Sequence, residues 1–509
     1  MFTIDYAADS IAVRTTRTIG QSVAEEVLGN PGGATTDLEA AQLIARHSRT
    51  EESWLSYKAT SRTGGQWYAW DGTVHTPVPD DVDYLLAVEF TEALGQAVDR
   101  MPDSEGRKFL AKAWARWSTA SGIGGLSRLV RQELRVAQDH FDRRSRWLAL
   151  SDGWVVDLAR LDDAPMAPDP RRRVTRKCGT SLPHDGSRPA EPDMWLHWLA
   201  EFVPDAGERD FLQRAAGAAL LGGGNAKTIV HLVGPRHSGK TTYLETMSAV
   251  FGGTGGFAGD LHNGAIVAKY GGSTNFNQAS AKGVRFLTLS EPSTQRTDDS
   301  FLKAISGSGD PIRTERKNQN EEVWHAECVL HIAANHTVRF NTTDQALVDR
   351  VAIVEFNHVV APQQDVPRYQ DVLVEREADG ILRWAMDGAE AYRGRGIDPP
   401  ESVVSRGREN AVRSSSPLQW LDERAAEGRL VVDPGAAMTA MIELAPAYTD
   451  YRTWAFDAGL KPAPKPAWLA EIEAHTGMPA DRKGARPKGS RRVWGVAPTD
   501  TWAAPQSAY

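Results

Sequence analysis

The sequence has little cysteine and no long apolar run. Its 509 residues include only two cysteines, Cys178 and Cys328, which is too few for a disulfide framework or a four-cysteine zinc site. No stretch reaches the roughly 18 apolar residues that a membrane-spanning helix needs, and residues 1–20 lack the apolar segment of a secretion signal. We therefore expect a protein of a reducing, cytoplasmic compartment with no membrane partner.

Positive charge is also scarce. Lys and Arg together number 58 against 66 Asp and Glu, which gives a formal net charge of -8. This balance excludes polyanion binding through overall charge, so any nucleic-acid contact has to come from a local basic patch. At about 150 residues per domain, the length predicts roughly three domains.

Apolar periodicity locates several elements. Residues 37–47, 194–203 and 206–221 carry apolar side chains at helical spacing, the first behind a capping Asp37. Residues 65–72 are typical of a strand that enters an Asp-Gly turn. From about residue 228 onward, strands and helices alternate, which predicts an α/β unit with a parallel sheet.

The most specific motif is a glycine-rich loop between an apolar strand and a helix. Residues 234–241 match G-x-x-x-x-G-K-[ST] at every fixed position. Backbone N–H groups of such a loop point at phosphates, while Lys240 reaches the β- and γ-phosphates and the Thr241 hydroxyl ligates Mg²⁺. We therefore predict an ATP and Mg²⁺ site that uses Gly234, Pro235, Arg236, His237, Ser238, Gly239, Lys240, Thr241 and Thr242.

Polar residues follow the next apolar strands. Residues 283–291 end in Glu291, a candidate to orient the attacking water, and residues 328–335 end in Asn335, whose amide can bond both the γ-phosphate and the water. Arg350 precedes another strand. An Arg there is ordinarily a surface residue, but in a ring ATPase it can reach the γ-phosphate of the neighbouring subunit. The predicted catalytic set is Lys240, Glu291, Asn335 and Arg350.

These elements, within about 120 residues, resemble the superfamily 3 helicases, in particular the helicase half of phage and plasmid primase-helicases. Residues 301–313 look like the B′ motif of that family, with its Lys and Asp at Lys303 and Asp310, and residues 195–221 look like its poxvirus-type run-in. The resemblance implies an AAA+-like P-loop core, a hexameric ring and 3′ to 5′ movement along single-stranded or forked DNA. It also implies a winged-helix-like tail.

A pore hairpin belongs to the same resemblance. Residues 313–320 are polar and basic, and strand formers flank them, as a hairpin requires. Arg313, Arg316 and Lys317 would contact phosphates without reading base sequence. A solvated hairpin with no ligand is the alternative.

Two departures from the family pattern qualify the resemblance. Ser290-Glu291 stands where the family has paired acids, so Glu291 could bind Mg²⁺, orient water or do both, with Asp298 or Asp299 in support. In addition, the N-terminal region shows no convincing primase motif, so we expect primer synthesis by a separate primase or polymerase chain.

The overall expectation is an α/β fold with a mixed N-terminal region, an AAA+-like core and a winged-helix-like domain. Its boundaries are 1–205, 206–360 for the core, 361–412 for a helical tail and 413–509. The expected function is an ATP-dependent DNA helicase of phage or plasmid replication in the bacterial host cytoplasm. The alternative is a nucleotide-switched DNA-binding initiator or defence-system ATPase that does not unwind DNA; a small-molecule kinase fits poorly, because nothing resembles a phosphoacceptor lid.

Overall fold

The N-terminal elements alternate between amphipathic helices and short strands. The computed structural model describes residues 10–30, 36–51, 53–60, 64–142, 146–222, 226–267, 276–292, 297–307, 309–314, 322–335, 337, 345–361, 363, 366–432, 441–458, 460, 462–477, 492–494 and 496–499. The first elements are α1 (Ile11–Gly29), α2 (Asp37–His47), β1 (Leu55–Ala59), β2 (Gly65–Trp70), β3 (His75–Val78), α3 (Val82–Arg100), α4 (Glu105–Trp117), α5 (Ala120–Glu133) and β4 (Arg135–Val136).

These strands form one sheet in the order β3-β2-β1-β4, with β4 parallel to β1 and the other neighbours antiparallel. The predicted helix at 37–47 is confirmed as α2, but its cap is Thr36. The Thr36 hydroxyl accepts from the Glu39 N–H while the Glu39 carboxylate accepts from the Thr36 N–H. A core that includes Phe90 and Trp117 is buried between the helices and the sheet.

The central elements alternate between strands and helices. They are β5 (Trp147–Ala149), β6 (Val155–Asp157), α6 (Asp193–Phe202), α7 (Ala206–Leu220), β7 (Ile229–Val233), α8 (Lys240–Val250), β8 (Ala258–Asp260), β9 (Phe286–Ser290), α9 (Asp299–Ile305), β10 (Ile312–Thr314), β11 (Glu322–Trp324), β12 (Val329–Ala334), α10 (Gln345–Val348), β13 (Val351–Glu355), α11 (Tyr369–Arg395) and α12 (Glu401–Ser414).

The central sheet has five parallel strands in the order β13-β7-β12-β9-β8. The inner strands β7 and β12 consist almost entirely of buried residues, most of them apolar, because helices cover both faces of the sheet. Since β12 lies between β7 and β9, the carboxyl ends of these three strands are neighbours at one edge. The predicted α/β class with a parallel sheet is confirmed.

Helices α7 and α11 cross at backbone contact. A Cβ added to Gly217 would lie 2.1 Å from the Ala389 nitrogen, and one added to Gly388 would lie 2.0 Å from the Gln213 carbonyl oxygen. Glycine at both crossing positions therefore lets α11 pack directly onto α7.

The C-terminal elements have a core of their own. They are α13 (Ser416–Ala426), β14 (Leu430–Val432), β15 (Met441–Glu443), α14 (Leu444–Asp457), α15 (Lys465–Thr476), β16 (Arg492–Trp494) and β17 (Val496–Pro498). Strands β14 and β17 pair antiparallel, as do β15 and β16. Trp420, Tyr451 and Trp468, from α13, α14 and α15, are buried in the apolar core of this region. The winged-helix assignment stays a prediction.

The buried residues do not separate at residue 205. One apolar cluster joins Leu148, Trp195 and Phe202 to Tyr243 and Trp384, whereas the N-terminal cluster ends at Leu134. Helix α6 therefore packs with the central sheet, although the predicted domain boundaries themselves stay predictions. Among the residues described, no helix has the length and apolar character to cross a bilayer.

Candidate active site

The glycine-rich loop connects β7 to α8 and needs its glycines for packing. Gly239 precedes α8 with φ +82°, and a Cβ there would lie 2.5 Å from Phe202 Cδ1. A Cβ on Gly234 would lie 2.1 Å from the Phe356 carbonyl oxygen. The loop is thus held between α6 on one side and the end of β13 on the other.

Lys240 is folded back beneath this loop. Its side-chain ammonium donates to the carbonyl oxygens of Gly234 and Pro235, each at 2.7 Å, and to Ser238 Oγ at 3.2 Å. Lys240 is only 6% exposed. Burial lowers the pKa of its ammonium, and the negative charge of Glu291 opposes that shift. The positive charge therefore lies where a phosphate bound by the loop would meet it.

Asn335 links Lys240 to Glu291. Its Oδ1 accepts from Lys240 Nζ at 3.4 Å, and its Nδ2 donates to Glu291 Oε1 at 3.0 Å. An amide can accept and donate at once, so one side chain bridges a cation and an anion. Asn335 and Glu291 directly follow β12 and β9, and Lys240 begins the helix that follows the loop after β7; the strand order places these three strands side by side.

Glu291 has an unusual backbone. Its φ is +48°, in the left-handed region that non-glycine residues rarely adopt, and its N–H donates to the Ala333 carbonyl at 2.9 Å. The chain therefore turns sharply as β9 ends, and the carboxylate lies at the same edge as Asn335.

A cavity of about 1030 Å³ opens at this edge. Seven of the nine predicted loop residues line it, together with Ser290, Glu291 and Asn335. Gly234 and Pro235 are not in the lining and instead supply the carbonyl oxygens that hold Lys240. The loop residues in the lining are Arg236, His237, Ser238, Gly239, Lys240, Thr241 and Thr242.

The far wall of the cavity was not predicted. Helix α6 contributes Trp198, Glu201 and Phe202, and the segment after β13 contributes His358 and, at the start of α11, Tyr369. No motif marks these residues. The available signal was the aromatic-rich helical pattern of residues 194–203, but periodicity alone predicts that such a helix face packs into a core.

The donor set at the loop fits Mg²⁺. Thr241 is exposed to the cavity, and Glu291 supplies a carboxylate at the neighbouring strand end. Hydroxyl and carboxylate oxygens are hard ligands, and Mg²⁺ commonly takes one or two from the protein and the rest from phosphates and water. Within the described ranges no group of three or more His, Cys, Asp or Glu is placed to hold a metal by itself.

Arg350 lies away from this cavity. Its carbonyl accepts from the Ile229 N–H at 2.7 Å, which puts it at the amino end of β7, one five-residue strand or about 16 Å from the loop. The guanidinium donates to the Lys303 carbonyl at 2.6 Å and to Ser306 Oγ at 3.0 Å. Arg350 therefore does not complete the site of its own chain.

The B′ and hairpin residues also lie outside the cavity. Lys303 is in the last turn of α9, Asp310 follows that helix, and Arg313 is an exposed residue of β10. The predicted hairpin is confirmed in its flanks, since β10 and β11 pair antiparallel. Its basic tip, with Arg316 and Lys317, lies outside the described residues.

The supporting acids have structural roles here. Asp298 caps α9 by accepting from the Phe301 N–H at 3.0 Å, and Asp299 accepts from the Thr297 hydroxyl at 2.9 Å. Neither residue lines the cavity around Glu291.

Two family models match the chain. Residues 41–204 match the family described as D5 N terminal like, and residues 232–350, from the P-loop strand to Arg350, match a family of unknown function, DUF5906. The protein named "Putative helicase 022R" of Frog virus 3 (isolate Goorha) is 26% identical over 182 residues, which cover 34% of this chain and 18% of the viral protein. The chain thus spans less than a fifth of that relative.

The solved structures that match include those of the C-terminal region of NrS-1. One apo form covers 84% of this chain and 88% of its own with 10% identity and a TM-score of 0.41, and another, of residues 305–718, reaches a TM-score of 0.42. Scores at this level do not establish a shared fold. The D5 match overlaps the start of the predicted run-in, at residues 195–204, whereas membership of superfamily 3 stays a prediction.

Proposed function

We propose that this protein is an ATP-dependent DNA helicase of phage or plasmid replication that works as a ring, with 3′ to 5′ polarity and without a fused primase. The observation that carries the proposal is the line from Lys240 through Asn335 to Glu291 at the mouth of the P-loop cavity. The D5 N terminal like match and the viral relative named as a helicase support a replication role.

The side chains fit nucleotide hydrolysis. The loop N–H groups and Lys240 would bind the β- and γ-phosphates, and Lys240 would exchange its carbonyl contacts for phosphate oxygens. Asn335 would orient the γ-phosphate and the attacking water, while Glu291 would accept hydrogen bonds from that water. Mg²⁺ on Thr241, with Glu291 in reach, would neutralise charge that develops on the phosphates.

Arg350 fits an action between subunits. Because it lies a strand length from the cavity of its own chain, a role at a γ-phosphate requires the cavity of a neighbour. Its contacts with Lys303 and Ser306 tie it to α9 and the B′ segment, which lead into the β10–β11 hairpin. ATP turnover in one subunit would in this way be linked to the DNA-facing hairpin of the next.

The proposal is tested with mixed rings. Lys240→Ala and Arg350→Ala should each abolish ATP hydrolysis, the second by depriving the neighbouring site. Mixing the two proteins should restore part of the activity, because some interfaces then combine an intact P-loop with an intact Arg. Mixed rings that assemble, as native mass spectrometry can show, yet recover no activity would contradict a role of Arg350 in trans.

Unwinding needs a separate assay. Duplex DNA with a 3′ single-stranded tail should be separated with ATP, whereas duplex DNA with only a 5′ tail should not. Hydrolysis that single-stranded DNA stimulates, with no strand displaced in either polarity, would instead favour the nucleotide-switched initiator or defence ATPase.

A further inference from the structure

The cavity has an aromatic end directly beside the phosphate loop. The loop residues that line the cavity are mostly polar, whereas Trp198 and Phe202 of α6 have stacked rings with centroids 4.8 Å apart. The His358 ring meets Phe202 edge-on at 4.9 Å. Aromatic walls beside a phosphate loop suit a flat heterocycle, so the chemical character of this end fits a nucleobase.

Helix α6 fixes the distance between the two ends. Phe202 packs against Gly239, where an added Cβ would approach its ring to 2.5 Å. The aromatic wall therefore starts directly at the first turn of α8, and a base that rests on it stays within reach of phosphates bound by the loop.

One carboxylate is built into this aromatic end. Glu201 lies on α6 one residue before Phe202, and its Oε1 is 3.2 Å from His358 Nε2. Among the described residues no hydrogen bond occupies the other oxygen, Oε2. About half of the Glu201 side chain is exposed, and that residue lines the cavity. His358 thus holds one oxygen while the other can accept from a ligand.

An acceptor that faces the 6-position of a purine discriminates between bases. A carboxylate accepts a hydrogen bond from an exocyclic amino group but repels a carbonyl oxygen in the same position. Adenine has an amino group at its 6-position, and guanine and hypoxanthine have an oxygen there.

We propose that Glu201, held by His358, is the residue that selects a 6-amino purine over a 6-oxo purine in this cavity. The proposal rests on the proposed ATP site and adds its base specificity. Trp198 and Phe202 supply the apolar contact, which any base would share, so the choice between bases falls to Glu201.

The sharpest probe pair is ATP and inosine triphosphate, because the two purines differ only at the 6-position and the adjoining ring nitrogen proton. We expect the intact protein to prefer ATP in kcat/KM by about tenfold, the effect of one hydrogen bond at a half-exposed site. Glu201→Gln should bring the ratio close to one, since a side-chain amide can also donate to a 6-oxo group. Glu245→Gln is the matched control: that carboxylate is exposed on α8 outside the cavity lining and should leave the ratio unchanged.

Binding should be measured by calorimetry alongside hydrolysis, so that the two proposals fail in different ways. If ATP binds and is hydrolysed but the ratio is near one, or Glu201→Gln leaves the ratio as it was, base selection by Glu201 is wrong and the ATP site stands. If neither triphosphate binds, both proposals are wrong. His358→Ala should lower the ratio partway, because Glu201 then loses the partner that orients it; an unchanged ratio would contradict the role of His358.

Discussion

Glu377 of α11 holds the beginning of α6, the helix that carries the aromatic wall of the cavity. Its two carboxylate oxygens accept from the N–H groups of Met194 and Trp195, at 2.9 and 2.8 Å. The residue at the N-cap position, Pro192, makes no side-chain cap. Glu377 therefore takes the place of a local cap from a helix 183 residues further along the chain, at a point where α11 departs from helical geometry with φ -137°.

The cost of removing this carboxylate follows from the contacts. A lost cap costs about 0.5–2 kcal/mol, and the negative charge beside the positive end of the α6 dipole adds about 0.3–1 kcal/mol. We expect Glu377→Ala to lower the free energy of unfolding by about 1–2 kcal/mol, or about 2–8 °C in Tm for a unit of 150–250 residues. Because α6 also places Phe202 against Gly239, KM for ATP should rise more than kcat falls.

Thermal unfolding and steady-state ATP hydrolysis measure the two effects. Glu375→Ala is the matched control, since Glu375 lies two residues away on α11 and is exposed. If Glu377→Ala changes Tm and KM no more than Glu375→Ala does, the reasoning that α6 depends on a cap from α11 is wrong.

Three further changes test other parts of the structure. Asn335→Ala should lower kcat for ATP about 100-fold with little change in nucleotide affinity, because the amide acts on the reacting groups. Gly388→Ala should lower the free energy of unfolding by about 1–3 kcal/mol, since its Cβ would overlap the Gln213 carbonyl oxygen. His331 is fully buried, and burial lowers the pKa of its ring to about 3. An unfolded His binds a proton near pH 6.5 and the folded one does not, so stability should fall as the pH drops from 6.5 toward 3, by about 1.4 kcal/mol per pH unit, and His331→Leu should remove that share.

Each of these changes has its own control. Activity of Asn335→Ala close to that of the intact protein would remove Asn335 from the mechanism. Gly394→Ala, on the same helix with open space around an added Cβ, should be neutral or slightly stabilising; equal destabilisation by both changes would mean that the α7–α11 contact is not responsible. For His331, urea unfolding at pH 7 and pH 5 gives the slope, and an equal slope in both proteins would contradict the assignment.

Motifs with a fixed backbone geometry could be predicted from the sequence. The P-loop requires a strand directly before it and a helix that starts within its eight residues, so 234–241 predicted the end of β7 and the start of α8 without knowledge of the rest. Helices at 193–202 and 206–220 also agree with the apolar periodicity. The predicted cap of α2, Asp37, was wrong by one residue. The cap is Thr36, which has extended backbone with φ -118°, while Asp37 is already helical.

Contacts between distant segments could not be predicted. The basic run 171–177 carries no pattern that indicates its partners, yet Arg176 donates to the carbonyls of Gly256 and Lys282, and the exposed Arg171 pairs with Glu51. The aromatic wall of the cavity, formed by Trp198 and Phe202, could not be predicted for the same reason. A helix pattern shows that one face of α6 is apolar, and only the packing shows that its end borders a cavity rather than a filled core.

The backbone of Glu291 has an evolutionary consequence. A side chain in the left-handed region costs roughly 1–2 kcal/mol compared with glycine, so Glu291→Gly should yield a more stable protein that has lost its carboxylate. Selection for stability alone would favour glycine at this position. The glutamate of this chain therefore agrees with selection for activity, and any engineering of this chain for heat resistance has to exclude this position from its search.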